Sequence, residues 1–151
     1  MQNKLGLSEL DVLDVEEALV AYKTSLLTEK VSFNQTDFNL EYLIKLNDFL
    51  FGDLYTYAGK ISGRYTQDDY FYIHSIVNRI VLLIESNSQN IEEILFLVKE
   101  LIDMQIFECG NKRTILLFLN SIINAYKNYN KEYFEDLQED IQECVRERFI
   151  Y

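Results

Sequence analysis

Phe107-Glu108-Cys109-Gly110-Asn111-Lys112-Arg113-Thr114 decides how this chain is read. The stretch holds the only glycine in the second half of the sequence and stands between two apolar runs. Upstream, Ile91, Ile94, Leu95, Val98, Leu101 and Ile102 recur at the spacing of one helical face. Downstream, Ile115, Leu116, Leu119, Ile122, Ile123 and Tyr126 do the same. Two buried helices joined by a tight turn at Gly110 follow from that pattern, the second over 112–127. Where the second begins, the amides of Gly110, Asn111 and Lys112 lack intrahelical acceptors and gather at the positive helix end, which attracts anions. Lys112 and Arg113 add charge beside it. The stretch reads as a phosphate site; it also reads as a plain helical corner with Asn111 as cap and two solvated basic residues.

Helical spacing continues on both sides. A helix over 72–84 buries Ile73, Ile76, Val77, Ile80 and Ile84, and a polar turn over 86–90 leads from it into the run above. His74, the only histidine, lies one position off that stripe, with nothing near it in sequence to orient it as a base, so a structural role is expected. A helix capped by Asn39 and ending near Phe51 carries Leu40, Leu43, Leu46 and Leu50 on one side, after a polar loop over 31–37. The first helix covers 8–29, with Ser8 as N-cap and Val12, Val15, Leu19, Tyr22 and Leu26 as its buried face. Asp11, Asp14, Glu16 and Glu17 are expected on its solvated side. The last helix, over 132–148, buries Phe134, Leu137, Ile141 and Val145, with Arg146 and Arg148 at the negative end of its dipole.

The chain has 151 residues, 48% of them hydrophobic, enough for one domain, 1–151, with a real core. Its 14 basic and 25 acidic residues leave a net charge of −11, which argues against nonspecific binding to nucleic acid or to an anionic membrane. No apolar run is long enough to span a bilayer and no signal-peptide core follows Met1, so a cytoplasmic protein is expected. Two cysteines, Cys109 and Cys144, do not make a disulfide framework.

The stretch from Phe107 to Thr114 resembles the signature loop of the Fic/Doc (Fido) family, H-P-F-x-[DE]-G-N-[GK]-R-x-x-[R], and its G-N-K-R-T is nearest the Doc form. A second likeness lies at Leu50-Phe51-Gly52-Asp53-Leu54-Tyr55-Thr56-Tyr57-Ala58-Gly59-Lys60-Ile61, against the family's approximate L-F-x-x-x-Y-x-W-A-G-x-x-R. Tyr57 stands where the family favours Trp, and Ser62 where Arg is usual. The two motifs keep the family's order and separation. The resemblance implies an all-α, Fic-like helical bundle with a short β-hairpin flap. Residues Ile61, Ser62, Gly63, Arg64 and Tyr65 of that flap would receive an extended segment of a protein target as an added strand. Ser25 and Glu29 partly match the family's inhibitory signature, [ST]-x-x-x-E-[GN], but Lys30 breaks it and no inhibitory role is assigned.

The resemblance also implies an activity: transfer of AMP or phosphate from ATP to a protein hydroxyl, with Mg2+ at the phosphates, in toxin–antitoxin or regulatory circuits. Two substitutions stand against it. The family's histidine, which takes the proton from the attacking hydroxyl, aligns with Gln105, an amide without the basicity for that step. Its acidic magnesium ligand aligns with Cys109, and a thiol suits a hard cation poorly. Gly110, Asn111, Lys112 and Arg113 match the part of the loop that holds phosphate, whereas the last arginine, where present, aligns with Leu116. A nucleotide or phosphate, with ATP among the candidates, is therefore the expected ligand, magnesium binding is doubtful, and transfer activity is expected to be lost or altered. A protein target or an antitoxin-like partner follows from the family role. Three other readings stay open: a transferase of unusual mechanism, an interaction module that has lost its ligand, and a Cys109 nucleophile served by His74.

Overall fold

Side chains at the helix starts set most of the architecture. In this computed structural model, which describes residues 3–29 and 37–147, six helices follow one another: α1 (Glu9–Glu29), α2 (Leu40–Phe51), α3 (Gln67–Glu85), α4 (Ile91–Met104), α5 (Asn111–Tyr126) and α6 (Lys131–Arg146). The Ser8 hydroxyl accepts the amide of Asp11, as expected, and Asn39, Asn90 and Asn130 cap α2, α4 and α6 through their side-chain oxygens. Each such cap satisfies an orphan amide and contributes about 1 kcal/mol. Thr66 and Asp69 form a reciprocal capping box, so α3 starts five residues earlier than the apolar stripe indicates.

The apolar faces of the helices meet in one continuous core. Ile73, Ile76, Val77, Ile80 and Ile84 of α3, Ile94, Val98, Leu101 and Ile102 of α4, and Phe134, Leu137, Ile141 and Val145 of α6 are buried as their spacing predicts. On α5 the buried set includes Leu117 and Phe118 as well as Ile115, Leu119, Ile122 and Ile123, whereas Leu116 and Tyr126 lie at the margin. This helix packs on α2, α3, α4 and α6, while α1 packs on α2.

Three expectations are corrected. The buried face of α1 runs through Val12, Glu16 and Val20, whereas Val15 and Tyr22 are exposed. Apolar residues lie all round this helix, so spacing alone does not choose a face. Glu16 accordingly leaves the solvated side and is buried. No strand occurs among the described residues, so the β-hairpin expected near residues 61–65 is absent there. Of the polar loop expected over 31–37 only residue 37 lies within the described residues; Lys30 and Arg148 lie outside them.

Candidate functional site: the corner before α5

Three main-chain features shape the corner between α4 and α5. Gln105 ends α4 in the left-handed region (φ 48°), turning the chain sharply out of the helix. Ile106 and Phe107 then plunge into the core. Gly110, at φ 73°, starts α5 and packs its bare α-carbon against the ring of Phe51; a β-carbon there would overlap that ring. Because Gly110 has no side chain to cap with, the first amides of α5 keep no side-chain acceptor.

Two buried amide side chains hold the corner in that shape. Asn111 accepts the Phe107 amide (3.0 Å) and donates to the Phe107 carbonyl (2.9 Å), closing the loop on itself. Its side chain is thus a brace, and the whole residue is buried. Asn47 of α2 reaches farther. Its Nδ2 donates to the Cys109 carbonyl and the Thr114 hydroxyl (both 3.2 Å), and its Oδ1 accepts the amide of Gly59 (2.9 Å). One side chain therefore ties α2, the loop, α5 and the turn at Gly59 together. Every polar atom of that carboxamide is satisfied, the condition under which a buried polar group rigidifies its surroundings.

Arg113 lies beside the α5 amides, but Glu16 of α1 already holds it. The guanidinium pairs with Glu16 Oε1 and sits 5.0 Å from the centroid of the Phe51 ring, while the Tyr55 hydroxyl donates to Glu16 Oε2. Glu16 is 6% exposed. A carboxylate so enclosed is tolerable only with its lone pairs engaged, and removal of one partner leaves the other charge buried at a cost of several kcal/mol. Arg113 is still about half exposed and has further N–H groups to offer a phosphate. Lys112, half buried, and Arg113 share a cleft with α6.

Gln105 and Cys109 stand where the resemblance would place a base and a metal ligand. The backbone N–H of Gln105 donates to the Ile102 carbonyl, and its backbone carbonyl accepts from Arg64. His74 faces outward on α3, where Nε2 meets the Asn78 side chain at 3.1 Å, so it does not serve the corner. At Cys109, burial pushes the thiol above its ordinary pKa; a hydrogen bond with Tyr57 opposes this, and the charge of Glu16 adds to it. Burial likewise raises Tyr57. A neutral thiol paired with a phenol is no ligand for magnesium. Glu108 beside it is exposed and accepts the Ser62 hydroxyl (2.7 Å). Among the described residues no group of three or more His, Cys, Asp or Glu side chains is placed to hold a metal. The residues present do not fit that ion.

The same facts speak against Cys109 as an activated nucleophile. In a Cys144→Ala background, alkylation of Cys109 should reach half its limiting rate at a higher pH than for an unhindered cysteine, since a raised pKa delays the thiolate. Iodoacetamide trapping followed by mass spectrometry measures this. Half-maximal labelling below the ordinary thiol range would mean an activated cysteine instead.

The segment expected as a flap is tied down along its length. The Ser62 amide donates to the Ile106 carbonyl (2.7 Å), Arg64 donates to the carbonyls of Met104 and Gln105, and the Tyr65 hydroxyl donates to Met104 as well. These bonds run to the end of α4 rather than across a hairpin, which is why residues 61–65 form a loop. Arg64 places a cation at the carbonyl end of α4, a helix with no basic residue in its own last turn. Ile61, Ser62, Gly63 and Tyr65 border a shallow depression of about 310 Å3 shared with Tyr70.

No protein-family model matches the sequence, and no curated protein matches it significantly. Solved structures do match. The chain is similar to the type IV secretion system effector protein BepA, with a TM-score of 0.64 and 19% identity over 83% of this chain, and spans 52% of that chain. It is similar to BepC of Bartonella tribocorum, solved with bound AMPPNP, at a TM-score of 0.63 and 15% identity, covering 93% of this chain and 91% of the other. The N-terminal Fic domain of a cell filamentation protein from Bartonella quintana superposes at 0.63, with 16% identity over 93% of this chain and 87% of that one. The chain has the Fic fold. At such identities the likeness speaks for the fold alone. Within the Fic fold, Gly110, Asn111, Lys112 and Arg113 form the start of α5, and residues 62–65 bond to the chain at 104–106 just before it. Sequence spacing missed Glu16 and Asn47. Asn47 had a signal, being a polar residue inside the stripe of Leu43, Leu46 and Leu50; Glu16 had none.

Proposed function

We propose that this chain is a Fic-fold nucleotide- or phosphate-binding protein related to transferases that move AMP or phosphate from ATP to a protein hydroxyl, and that it lacks ordinary transfer activity. The observation that carries this reading is the N-terminus of α5, which has no side-chain cap and reaches the surface at Lys112 and Arg113, set against Gln105 and a Tyr57-paired Cys109. Amides and a guanidinium can hold phosphate oxygens. An alcohol has almost no alkoxide near neutral pH and needs a base that Gln105 is not. The nucleotide analogue bound to BepC supports a nucleotide as the ligand.

A protein partner, either a former modification target or an antitoxin-like protein, would meet the chain along Ile61–Tyr65. The acidic surface disfavours nucleic acid. Among the described residues no helix is long and apolar enough to cross a membrane, and Cys109 and Cys144 form no disulfide with one another, which fits a reducing cytoplasm. The Glu16–Arg113 pair favours a second reading. A site whose arginine already has a carboxylate can stand without ligand, as an interaction module would.

Calorimetric titration with ATP, in magnesium and in EDTA, tests the choice. Heat of binding in both buffers is the expected result, and its absence in both would leave the interaction module. In parallel, incubation with ATP labelled at the α- or γ-phosphate and a cell lysate should give no labelled protein beyond that of the lysate alone. Label transfer at the rate of an ordinary AMP transferase would overturn the loss of activity.

A further inference from the structure

Fourteen basic residues are spread over a chain with 25 acidic ones, yet three of them line one cleft. The cleft holds about 340 Å3 and is bounded by Lys112, Arg113, Leu116, Gln142, Val145 and Arg146. That volume is near the lower end for small-molecule pockets, about 300–1,000 Å3. Among the described residues no carboxylate lines it. Leu116 and buried Val145 give it an apolar side, and Gln142 an amide. Lys112 and Arg113 come from the first turn of α5, whereas Arg146 comes from the last turn of α6. Among the described residues neither Lys112 nor Arg146 forms an ion pair, and the side chain of Arg113 is committed only in part, to Glu16. Leu116 occupies the place where the loop pattern carries its last arginine; Arg146 brings a guanidinium to the same cleft from a different helix.

We infer that Arg146 is a phosphate-binding residue, and that Lys112, Arg113 and Arg146 together receive the outer phosphates of a nucleoside triphosphate. The nucleoside part of this rests on the nucleotide reading above. A single phosphate is met by the α5 amides and Arg113 alone. A chain of phosphates leaves that helix end and needs cations farther along, where α6 supplies one. The three side chains also answer the missing metal ligand. Charge that magnesium would neutralise between phosphate oxygens falls instead to a lysine and two guanidinium groups, which bind such oxygens without a hard-ion cage.

The test is calorimetry on the full chain in EDTA with ATP, AMP and inorganic tripolyphosphate, comparing wild type with Arg146→Gln and Arg146→Lys. Arg146→Gln should weaken ATP and tripolyphosphate by about tenfold, the value of one charge-assisted hydrogen bond, and leave AMP within about twofold. Arg146→Lys should recover part of the loss, and added salt should weaken the wild type more than the Gln variant. Arg146 is exposed, so the melting temperature serves as a control and should not move. Equal ATP and tripolyphosphate affinities in wild type and Arg146→Gln would overturn the assignment, and nucleotide binding in that case would leave the nucleotide reading intact. Conversely, Arg146-dependent binding of tripolyphosphate with none of AMP or ATP would support the cleft and end the nucleotide reading.

Discussion

Gly110→Ala should destabilise the protein by about 2–4 kcal/mol. Two costs add. The residue sits at φ 73°, where a β-carbon meets the neighbouring carbonyl, and that costs about 1 kcal/mol. The same β-carbon enters the space of the Phe51 ring, and overpacking in a closed core costs about 1–3 kcal/mol. Phe51 cannot easily yield, because it is fully buried and lies between Tyr55 and the Arg113 guanidinium. Urea denaturation of wild type, Gly110→Ala, Phe51→Leu and the double variant separates the two terms. In the Phe51→Leu background the alanine should cost only the backbone part, about 1 kcal/mol. A Gly110→Ala protein as stable as wild type would mean that the turn does not hold α5 against α2 as described, and the aim of the α5 amides would fall with it.

On the proposed reading, installing the two groups that the family resemblance implies should have the largest effect on activity. Gln105→His returns an imidazole, whose action as a base is worth about a hundredfold to ten-thousandfold, and Cys109→Asp returns an oxygen ligand. The surroundings limit what that pair can do. An aspartate at 109 would share a buried neighbourhood with Glu16, and Glu16 holds Arg113, the arginine proposed to meet a phosphate. Glu16→Gln keeps an acceptor for Tyr55 and releases Arg113 from its charge. The triple variant should transfer label from ATP at least about a hundredfold faster than wild type, and the pair Gln105→His/Cys109→Asp less than the triple. Glu16→Gln alone should cost about 1–3 kcal/mol in stability, so the assay temperature has to stay well below the melting point of the weakest variant. Equal rates in wild type and triple variant would contradict a site disabled at these positions.

The parts of the fold legible in sequence are those decided locally. The apolar stripes of α3, α4 and α6 name their buried faces because each has a single stripe, and Gly110 names its turn because glycine takes a positive φ without steric cost. Asn39 and Ser8 name two helix starts for the same kind of reason. The parts that were not legible depend on distant partners. Glu16 becomes a core residue only because Tyr55 and Arg113, 39 and 97 positions away, converge on it. In isolation it is one of several acids on a helix with leucine and valine on every side. The loop at 61–65 illustrates the same limit: a hairpin needs cross-strand bonds, but Ser62, Arg64 and Tyr65 find their acceptors at 104–106.

Asn47 has a consequence for anyone who would re-engineer this protein. Because one carboxamide serves the Cys109 carbonyl, the Thr114 hydroxyl and the Gly59 amide at once, residues 105–113 are not an interchangeable cassette. A loop grafted in from another scaffold inherits its shape only if the recipient has an asparagine at the matching point of its second helix. Loss of that one side chain, by mutation or by deamidation in storage, would leave the graft correct in sequence and wrong in form.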